Sequence, residues 1–423
     1  MALRTHTRLT QLKKLLPSLV RTTSWWSQVE VGPPDVIFGL VEAFNKDTRS
    51  PKINLAIGAY RDDHGKPYVL PSVRKAEKKL FEKNLDKEYA GIMGYEAFRK
   101  AAVELALGKD SEPVKNKLYV TAQAVSGTGA LRLAGMFLKH FYPYSKTVYT
   151  SNPTWGNHPQ VFKHSGLDVQ TYTYYNPADC GFNAAGCYAD LKKLPDKSII
   201  LLHACAHNPT GVDPKLEQWA EISKICKDKQ HFLLVDMAYQ GFASGDLERD
   251  AAGLRHLVKD GHKVILCQSF SKNMGLYGER VGAVTVLCNN EQEVAAVDSQ
   301  MKIIIRPLYS NPPINGARIA IELLTQSDLY KEWLGELKVM AGRIIRMREL
   351  LWQGLQREGS TRNWSHIKDQ IGMFCYSGLS PQQVEKLKQD NAIYMTKDGR
   401  VSMVAITPDN VDYIAKAIHQ VTK

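Results

Sequence analysis

The sequence predicts an α/β protein whose main domain is a mostly parallel sheet with helices on both faces. Short apolar runs alternate with turns and amphipathic helices at intervals of about 30 residues, a pattern typical of βαβ units. The apolar runs that we predict as strands are 118–121, 148–150, 198–203, 232–235, 264–267 and 281–287. A chain of 423 residues is long enough for a second domain as well. Open α/β sheets bind ligands at the carboxyl ends of their strands, so we expect the functional site there.

The net charge and the first residues of the chain indicate a targeting segment. The formal charge of +12 is compatible with binding to nucleic acid or to an anionic membrane surface. Residues 1–23, however, hold five of the basic residues and no acidic ones, together with hydroxyl residues and leucines. This composition predicts a mitochondrial transit peptide, with a disordered basic tail as the alternative. Without this segment the chain carries +7 and has no basic run suited to a nucleic acid backbone.

Apolar runs and cysteines exclude further classes of protein. No apolar run approaches the roughly 20 residues of a membrane-spanning helix, so we expect no integral membrane segment. The seven cysteines are odd in number and show no CxxC spacing. They indicate a reducing compartment and argue against a structural zinc site, so we expect no metal.

The most informative stretch is 267–282, CQSFSKNMGLYGERVG. An apolar strand runs into Ser269 and then Lys272, with Arg280 eight residues further on. A lysine just past the end of a buried strand lies where such sheets bind ligands, and burial there lowers its pKa toward catalytic use. The hydroxyl and guanidinium groups suit a phosphate ester next to an aldehyde, which together describe pyridoxal 5′-phosphate. The alternative is a solvated surface lysine.

Polar residues also follow the other predicted strands. Ser126, Gly127 and Thr128 precede a helix predicted over 130–141. Free amides at a helix start, with two hydroxyls, form an anion site, although a capped glycine turn is the alternative. Asp236 ends a nearly all-apolar strand and is either a helix cap or the partner of a buried cation, such as a protonated pyridine nitrogen.

Three further side chains suit a flat heterocycle. Trp155 offers an indole that can stack on a ring, although an isolated tryptophan is more often part of the core. Asn208 and Tyr239 are each placed to hydrogen-bond to a ring oxygen.

His203 and His207, four residues apart, suggest a metal, but Pro209 and a glycine mark a loop there, so the two rings need not share a helical face.

Candidate substrate contacts lie near the two ends of the chain. Gly58, after a strand predicted at 53–57, lets backbone approach a ligand, with a plain turn as the alternative. Arg306 precedes a proline-rich turn. Arg400 follows an Asp-Gly pair and is predicted to open a strand within a hairpin over 393–403. A surface position is the alternative for both arginines.

Eight motifs stand in the order found in the aspartate aminotransferases, a group of fold-type I PLP-dependent enzymes. They are SGTGA, PTWGNH, HNPTG, DMAYQGF, SFSKN, GLYGERVG, SNPP and IGMF. The chain resembles this group from about Trp25 to its end. The resemblance implies a large domain with a seven-stranded, mostly parallel sheet flanked by helices, plus a smaller α/β domain. It divides the chain into an arm with part of the small domain (24–65), the large PLP-binding domain (66–329) and the small domain (330–423).

The resemblance also implies a role for each candidate residue. Lys272, Asp236 and Tyr239 would be catalytic, with Lys272 linked to the cofactor and moving the substrate's proton. The implied cofactor-binding set is Ser126, Gly127, Thr128, Trp155, Asn208, Asp236, Tyr239, Ser269, Lys272, Arg280 and, from the other subunit of a homodimer, Tyr89. The implied substrate-binding set is Gly58, Trp155, Asn208, Arg306 and Arg400.

Two arginines carry the implied specificity. Arg400 resembles the arginine that binds the substrate's α-carboxylate, and Arg306 the one that crosses from the partner subunit to bind the distal carboxylate. Two guanidinium forks select a dicarboxylate. The resemblance therefore implies reversible, ping-pong transfer of the amino group of L-aspartate to 2-oxoglutarate, giving oxaloacetate and L-glutamate, in the mitochondrial matrix. The alternatives are an aspartate β-decarboxylase or lyase of the same fold and a basic protein that binds membranes or nucleic acid.

Two positions depart from the expected pattern. Ala405 stands where these enzymes usually have glycine, and its methyl group is expected to crowd the strand that carries Arg400. The SFSKN string is more similar to the cytosolic branch of the group, whereas residues 1–23 favour mitochondria.

Overall fold

A computed structural model of the chain describes residues 25–32 and 36–423. The predicted transit peptide lies outside the described residues. The strands are β1 Ile53–Asn54, β2 Tyr119–Val125, β3 Thr147–Asn152, β4 Asp168–Thr173, β5 Tyr175–Asn176, β6 Gly181–Phe182, β7 Ile199–His203, β8 Phe232–Met237, β9 Ile265–Ser269, β10 Val281–Leu287, β11 Phe374–Tyr376, β12 Ile393–Tyr394 and β13 Arg400–Ser402.

The described helices surround these strands along the whole chain. They are Val36–Lys46, Pro71–Glu82, Glu96–Leu107, Glu112–Lys115, Ser126–Phe141, His158–His164, Ala184–Lys193, Leu216–Asp228, Leu247–Lys259, Glu291–Tyr309, Asn315–Thr325, Ser327–Arg357, His366–Asp369, Pro381–Asn391 and Val411–Thr422, with a 3₁₀ turn at Met403–Ala405. None of the helices within the described ranges is long and apolar enough to cross a membrane.

The main sheet has seven strands in the order β2-β10-β9-β8-β7-β3-β4. Neighbouring strands are parallel except at β10, which runs antiparallel to β2 and β9. The predicted mostly parallel sheet is therefore confirmed. The six predicted strands correspond to β2, β3, β7, β8, β9 and β10. The sequence reading missed β4, because this edge strand is mostly polar and exposed and so shows no apolar run.

Apolar side chains pack on both faces of the sheet, which explains the unbroken apolar runs. Leu201 and Leu234 join the core on one face, and Leu202 and Val235 join the core on the other. Adjacent strand residues point to opposite faces, so a strand covered on both sides must be apolar throughout.

One pair of short strands joins the C-terminal part of the chain to the N-terminal part, and a second pair lies within the C-terminal part. β12 pairs in parallel with β1, and β11 pairs antiparallel with β13. The prediction of a hairpin over 393–403 is therefore wrong, because β12 and β13 pair with β1 and β11 and not with each other. The prediction that Arg400 opens a strand is confirmed. The division of the chain into domains stays a prediction.

Gly282 provides a test of how closely the sheet and the first turn of helix Ser126–Phe141 are packed. A Cβ atom at this position would lie 2.6 Å from the Ser126 carbonyl oxygen and 2.7 Å from that of Gln268. We expect Gly282→Ala to lower the free energy of unfolding by about 1–3 kcal/mol, the usual cost of overpacking. Urea unfolding measures this change. Gly278→Ala is the control, because a Cβ atom there meets nothing within 4 Å. Equal midpoints for the two variants would contradict the prediction.

Candidate active site

A cavity of about 280 Å³ lies where the predicted site residues converge at the carboxyl ends of the sheet strands. The residues predicted for the site that line it are Gly58, Ser126, Gly127, Thr128, Trp155, Asn208, Asp236, Tyr239, Ser269, Lys272, Arg280 and Arg400. Tyr89 and Arg306 do not line it. The side chains come from several strand ends and from β13, so the fold brings together residues that are more than 300 positions apart in sequence.

One end of the cavity is built to hold an anion. Helix Ser126–Phe141 begins at the cavity, four residues earlier than predicted, so the amides of its first turn point there. The Ser126 hydroxyl lies 3.3 Å from that of Ser269, and both are buried. Arg280 lines the same end. The helix dipole, the amides of the first turn that follow Ser126, the hydroxyls and a guanidinium together favour a bound phosphate.

A series of hydrogen bonds stabilises the ionised form of Asp236. Its Oδ2 lies 3.1 Å from Nε2 of His158, whose Nδ1 lies 2.8 Å from the Thr154 hydroxyl. That hydroxyl is 3.2 Å from Nε2 of His203, and the backbone N–H of Asn208 donates to Nδ1 of His203 over 3.3 Å. The Asp236 carboxylate, when ionised, can only accept hydrogen bonds. Donation can therefore run in one direction throughout, from the Asn208 amide through the two imidazole rings to Asp236.

This series of hydrogen bonds sets the protonation of the groups along it. Burial alone would raise the pKa of Asp236, but the hydrogen bond from His158 and nearby positive charges hold it below its usual value. Asp236 is therefore ionised at neutral pH. Burial lowers the pKa of His203 to about 3, so this ring is neutral and carries one proton for the hydrogen bond to Thr154.

Lys272 is poised to act as an amine base. Burial lowers the pKa of its amine, an effect that the Asp236 carboxylate opposes and the Arg280 guanidinium reinforces. Its Nζ lies 5.6 Å from the centre of the Tyr239 ring. Burial also raises the pKa of Tyr239, so its hydroxyl keeps a proton that it can donate.

Arg400 presents a buried guanidinium to the cavity. Its guanidinium lies 4.1 Å from the centre of the Phe374 ring, and its one side-chain hydrogen bond within the described residues is a long one of 3.4 Å to the Ala56 carbonyl. Its Nε has no partner within the described chain. An arginine keeps its charge even when buried, so this group is suited to bind a carboxylate.

Three residues singled out in the sequence lie away from the cavity. Tyr89 is 84% exposed. Arg306 lies in the last turn of helix Glu291–Tyr309 and donates to the Ser310 hydroxyl and, over 3.4 Å, to Asn311. Ala405 lies beyond the end of β13 and packs on the core, so its methyl group is not at the cavity.

Sequence reasoning gave no role to several residues of the site. Phe374 supports Arg400, and Thr154, His158 and His203 support Asp236. Polar residues after consecutive apolar strands were the available signal. That signal does not give the order of the strands, and the order decides which residues meet.

The chain matches a protein-family model, Aminotransferase class I and II, over residues 50–418. It belongs to this family. The "Aspartate aminotransferase, mitochondrial" of Xenopus tropicalis is 58% identical over 403 residues, covering 95% of this chain and 94% of that protein. The protein of the same name from Gallus gallus is 56% identical over 403 residues, again covering 95% of each chain.

Solved structures agree with this assignment. An aspartate aminotransferase from the cytoplasm of Saccharomyces cerevisiae has a TM-score of 0.91 at 41% identity, covering 94% of this aminotransferase and 98% of that chain. An aromatic-amino-acid aminotransferase from Burkholderia pseudomallei, covalently bound to pyridoxal phosphate, has a TM-score of 0.92 at 41% identity, covering 95% of this chain and 100% of that one.

His158→Phe tests how the charge of Asp236 is held in this aminotransferase. Without the hydrogen bond, burial dominates and the pKa of Asp236 rises above its unfolded value of about 3.9. The folded state then binds more protons than the unfolded state, so its stability falls as pH rises. We expect the variant to lose about 3–5 kcal/mol of unfolding free energy at pH 7 and less at pH 5.

Denaturant unfolding at several pH values measures this loss. The control is the double variant His158→Phe, Asp236→Asn, in which the side chain at position 236 has no carboxyl group. Its unfolding free energy should lack the extra pH dependence that His158→Phe alone introduces. A His158→Phe variant whose loss is the same at both pH values would contradict the prediction.

Proposed function

We propose that this aminotransferase transfers the amino group of L-aspartate to 2-oxoglutarate in the mitochondrial matrix, with pyridoxal 5′-phosphate as cofactor. The observation that carries the proposal is one cavity that holds an ionised Asp236, a Lys272 amine of lowered pKa and the buried Arg400 guanidinium. The mitochondrial relatives at 54–58% identity support the substrate and the compartment.

The cavity residues fit the cofactor. The helix start at Ser126, with Ser269 and Arg280, suits its phosphate. The buried amide oxygen of Asn208 has no hydrogen-bond partner within the described chain, so this amide group is left for a bound molecule. Asp236 supplies the negative charge that a protonated pyridine nitrogen requires. When bound, the cofactor supplies an electron sink for the bond that breaks at the substrate's α-carbon.

The chain's own residues then have separate tasks. Asp236 would keep the pyridine nitrogen protonated, and Trp155, which lines the same cavity, would be available to pack against the ring. Tyr239 and Asn208 hold the ring oxygen. Lys272, whose amine loses its proton more easily because of burial, would accept the proton from the substrate's α-carbon and would be the group that gives it back.

Two arginines would select a dicarboxylate. Arg400 binds the α-carboxylate with its guanidinium fork. Arg306 lies outside this cavity, and we propose that Arg306 of the partner subunit binds the distal carboxylate in a homodimer. Ile303 (60% exposed) lies on the same helix as Arg306, and Tyr89 (84% exposed) lies next to Ala90, whose carbonyl accepts from Asn311; together they leave apolar surface near Arg306 that an interface would cover.

The half-reactions provide the first test. The visible absorption band of the bound cofactor should disappear when L-aspartate is added and return when 2-oxoglutarate follows. L-Alanine is the control, because it lacks the second carboxylate and should change the band little at the same concentration. Oxaloacetate as product, rather than CO₂ and alanine, separates this activity from β-decarboxylation. A protein without the band, even after PLP is added, would contradict the proposal.

Heterodimers test whether the active site is shared. We expect the homodimeric variants Lys272→Ala and Arg306→Leu each to have little activity toward L-aspartate. Heterodimers of the two, isolated through two different tags, should regain about half of the wild-type activity, because one of their two sites combines an intact Lys272 with an intact Arg306.

The matched control pairs Lys272→Ala with Arg400→Leu. Lys272 and Arg400 line the same cavity of one chain. One site of this heterodimer therefore lacks Lys272 and the other lacks Arg400, so no activity should return. Recovery in the control pair, or none in the first pair, would contradict a site shared through Arg306.

A further inference from the structure

Arg348 is a buried arginine outside the cavity. It lies on the long helix Ser327–Arg357 and is 2% exposed. Its guanidinium donates hydrogen bonds to three backbone carbonyls, those of Ile367 at 2.9 Å, Gly372 at 2.8 Å and Phe374 at 2.6 Å. A buried charge normally requires a carboxylate, and here the dipoles of one backbone segment take that role.

The segment that Arg348 holds connects two parts of the active site. The Ile371 amide donates to the Gly211 carbonyl over 2.7 Å, which joins the segment to the loop carrying Asn208. Gly372 packs directly on Ala206 of the same loop, where an added Cβ atom would collide. The segment therefore lies against the loop that also lines the cavity.

The same segment continues into β11, which supports Arg400. Phe374 begins β11, and its ring lies under the Arg400 guanidinium. Tyr376, at the other end of β11, is the register partner of Arg400 on β13. Gln370 fixes Tyr376 as well, because its side chain accepts from the Tyr376 amide over 2.8 Å and donates to its carbonyl over 3.2 Å. A shift of the segment would move Arg400 relative to Asn208.

The choice of arginine at this position needs a reason beyond stability. Desolvating a charge is expensive, and apolar residues of similar volume often replace buried ionic groups without loss of stability. A planar guanidinium, however, can bind several carbonyls at fixed angles, which no apolar side chain can do. The expected benefit is therefore precise placement of the bound backbone.

We propose that Arg348 is a positioning residue for substrate binding: it fixes the backbone between Ile367 and Phe374 so that Arg400 and Asn208 face the same α-carboxylate. The inference rests on the proposed function, because it concerns the dicarboxylate for which Arg400 is the anchor. Retention of the cofactor should depend little on Arg348, since Asp236 lies on β8, Lys272 lies just past β9 and the anion site is at the start of helix Ser126–Phe141, whereas Asn208 is the proposed cofactor contact on the loop that the segment touches.

The test compares Arg348→Met and Arg348→Lys with wild type in the cofactor-loaded enzyme. Calorimetry measures the Kd of succinate, a four-carbon dicarboxylate without an amino group to transfer. Both variants should bind succinate about tenfold more weakly and show a similar rise in KM for L-aspartate, because a misplaced fork loses about one hydrogen bond's worth of affinity. Retention of the cofactor on dialysis should stay at the wild-type level.

Arg348→Lys separates geometry from charge. It keeps a positive charge but replaces the planar fork with a single ammonium group that cannot reach all three carbonyls in the same way. Arg348→Lys also keeps a positive charge at this position, and it serves as the test variant if Arg348→Met does not fold. Succinate binding of wild-type strength in Arg348→Lys would overturn the proposal.

Leu387→Ala is the matched control for loss of stability. Leu387 is fully buried in helix Pro381–Asn391, which carries no residue of the site. At a similar fall in Tm, this control should keep the wild-type Kd for succinate within about twofold. An equal loss of succinate affinity in Leu387→Ala would also overturn the proposal, because general loosening would then explain the effect.

The proposed function and this inference fail in different ways. Wild-type enzyme that carries PLP but binds no succinate would contradict dicarboxylate specificity and remove the basis for a role of Arg348. Wild-type enzyme that binds succinate, alongside Arg348 variants that bind it equally well, would contradict the inference alone.

Discussion

The hydrogen bond from His158 to Asp236 supports the chemistry that the cavity can perform. A buried carboxylate without a donor takes up a proton, and a neutral Asp236 could not stabilise a positive charge on a ring nitrogen. The donor itself is oriented through Thr154, just past β3, and through His203, the last residue of β7. The order β8-β7-β3 brings these strand ends side by side, so the sheet topology and the charge of one carboxylate are directly linked.

The same burial has opposite effects on the two ionisable groups that would act on the cofactor. Desolvation raises the pKa of a carboxyl group and lowers that of an amine. Lys272 follows this rule, whereas for Asp236 hydrogen bonding and positive charge outweigh burial. The same cavity can therefore hold an ionised carboxylate and an amine that readily loses its proton. The difference is that Asp236 accepts a hydrogen bond from His158, which stabilises its charged form, whereas Lys272 lies near the Arg280 charge, which disfavours its charged form.

The sheet and most of the site were predictable from the sequence because both depend on local patterns. Strands covered on both faces are apolar throughout, and polar residues that follow them meet at one edge. The polar edge strand β4 lacked that pattern. The helix at Ser126 begins earlier than predicted, because two glycines in its first turn resemble a loop in sequence. The role of His158 depends on strand order, which no local pattern contains.

Long-range pairing explains why Arg400 was placed on a strand correctly but in the wrong hairpin. Its partner strand β11 lies before β12, and β12 itself pairs with β1, more than 300 residues away. The residues proposed to hold the cofactor lie at or near strand ends of one sheet, whereas Arg400, the proposed α-carboxylate contact, depends on short strands and on the segment that Arg348 holds. Stability of the main sheet therefore preserves the proposed cofactor site, but it does not by itself fix the position of Arg400. In such an arrangement the C-terminal part of the chain can change substrate affinity while the chemistry at Lys272 and Asp236 is preserved.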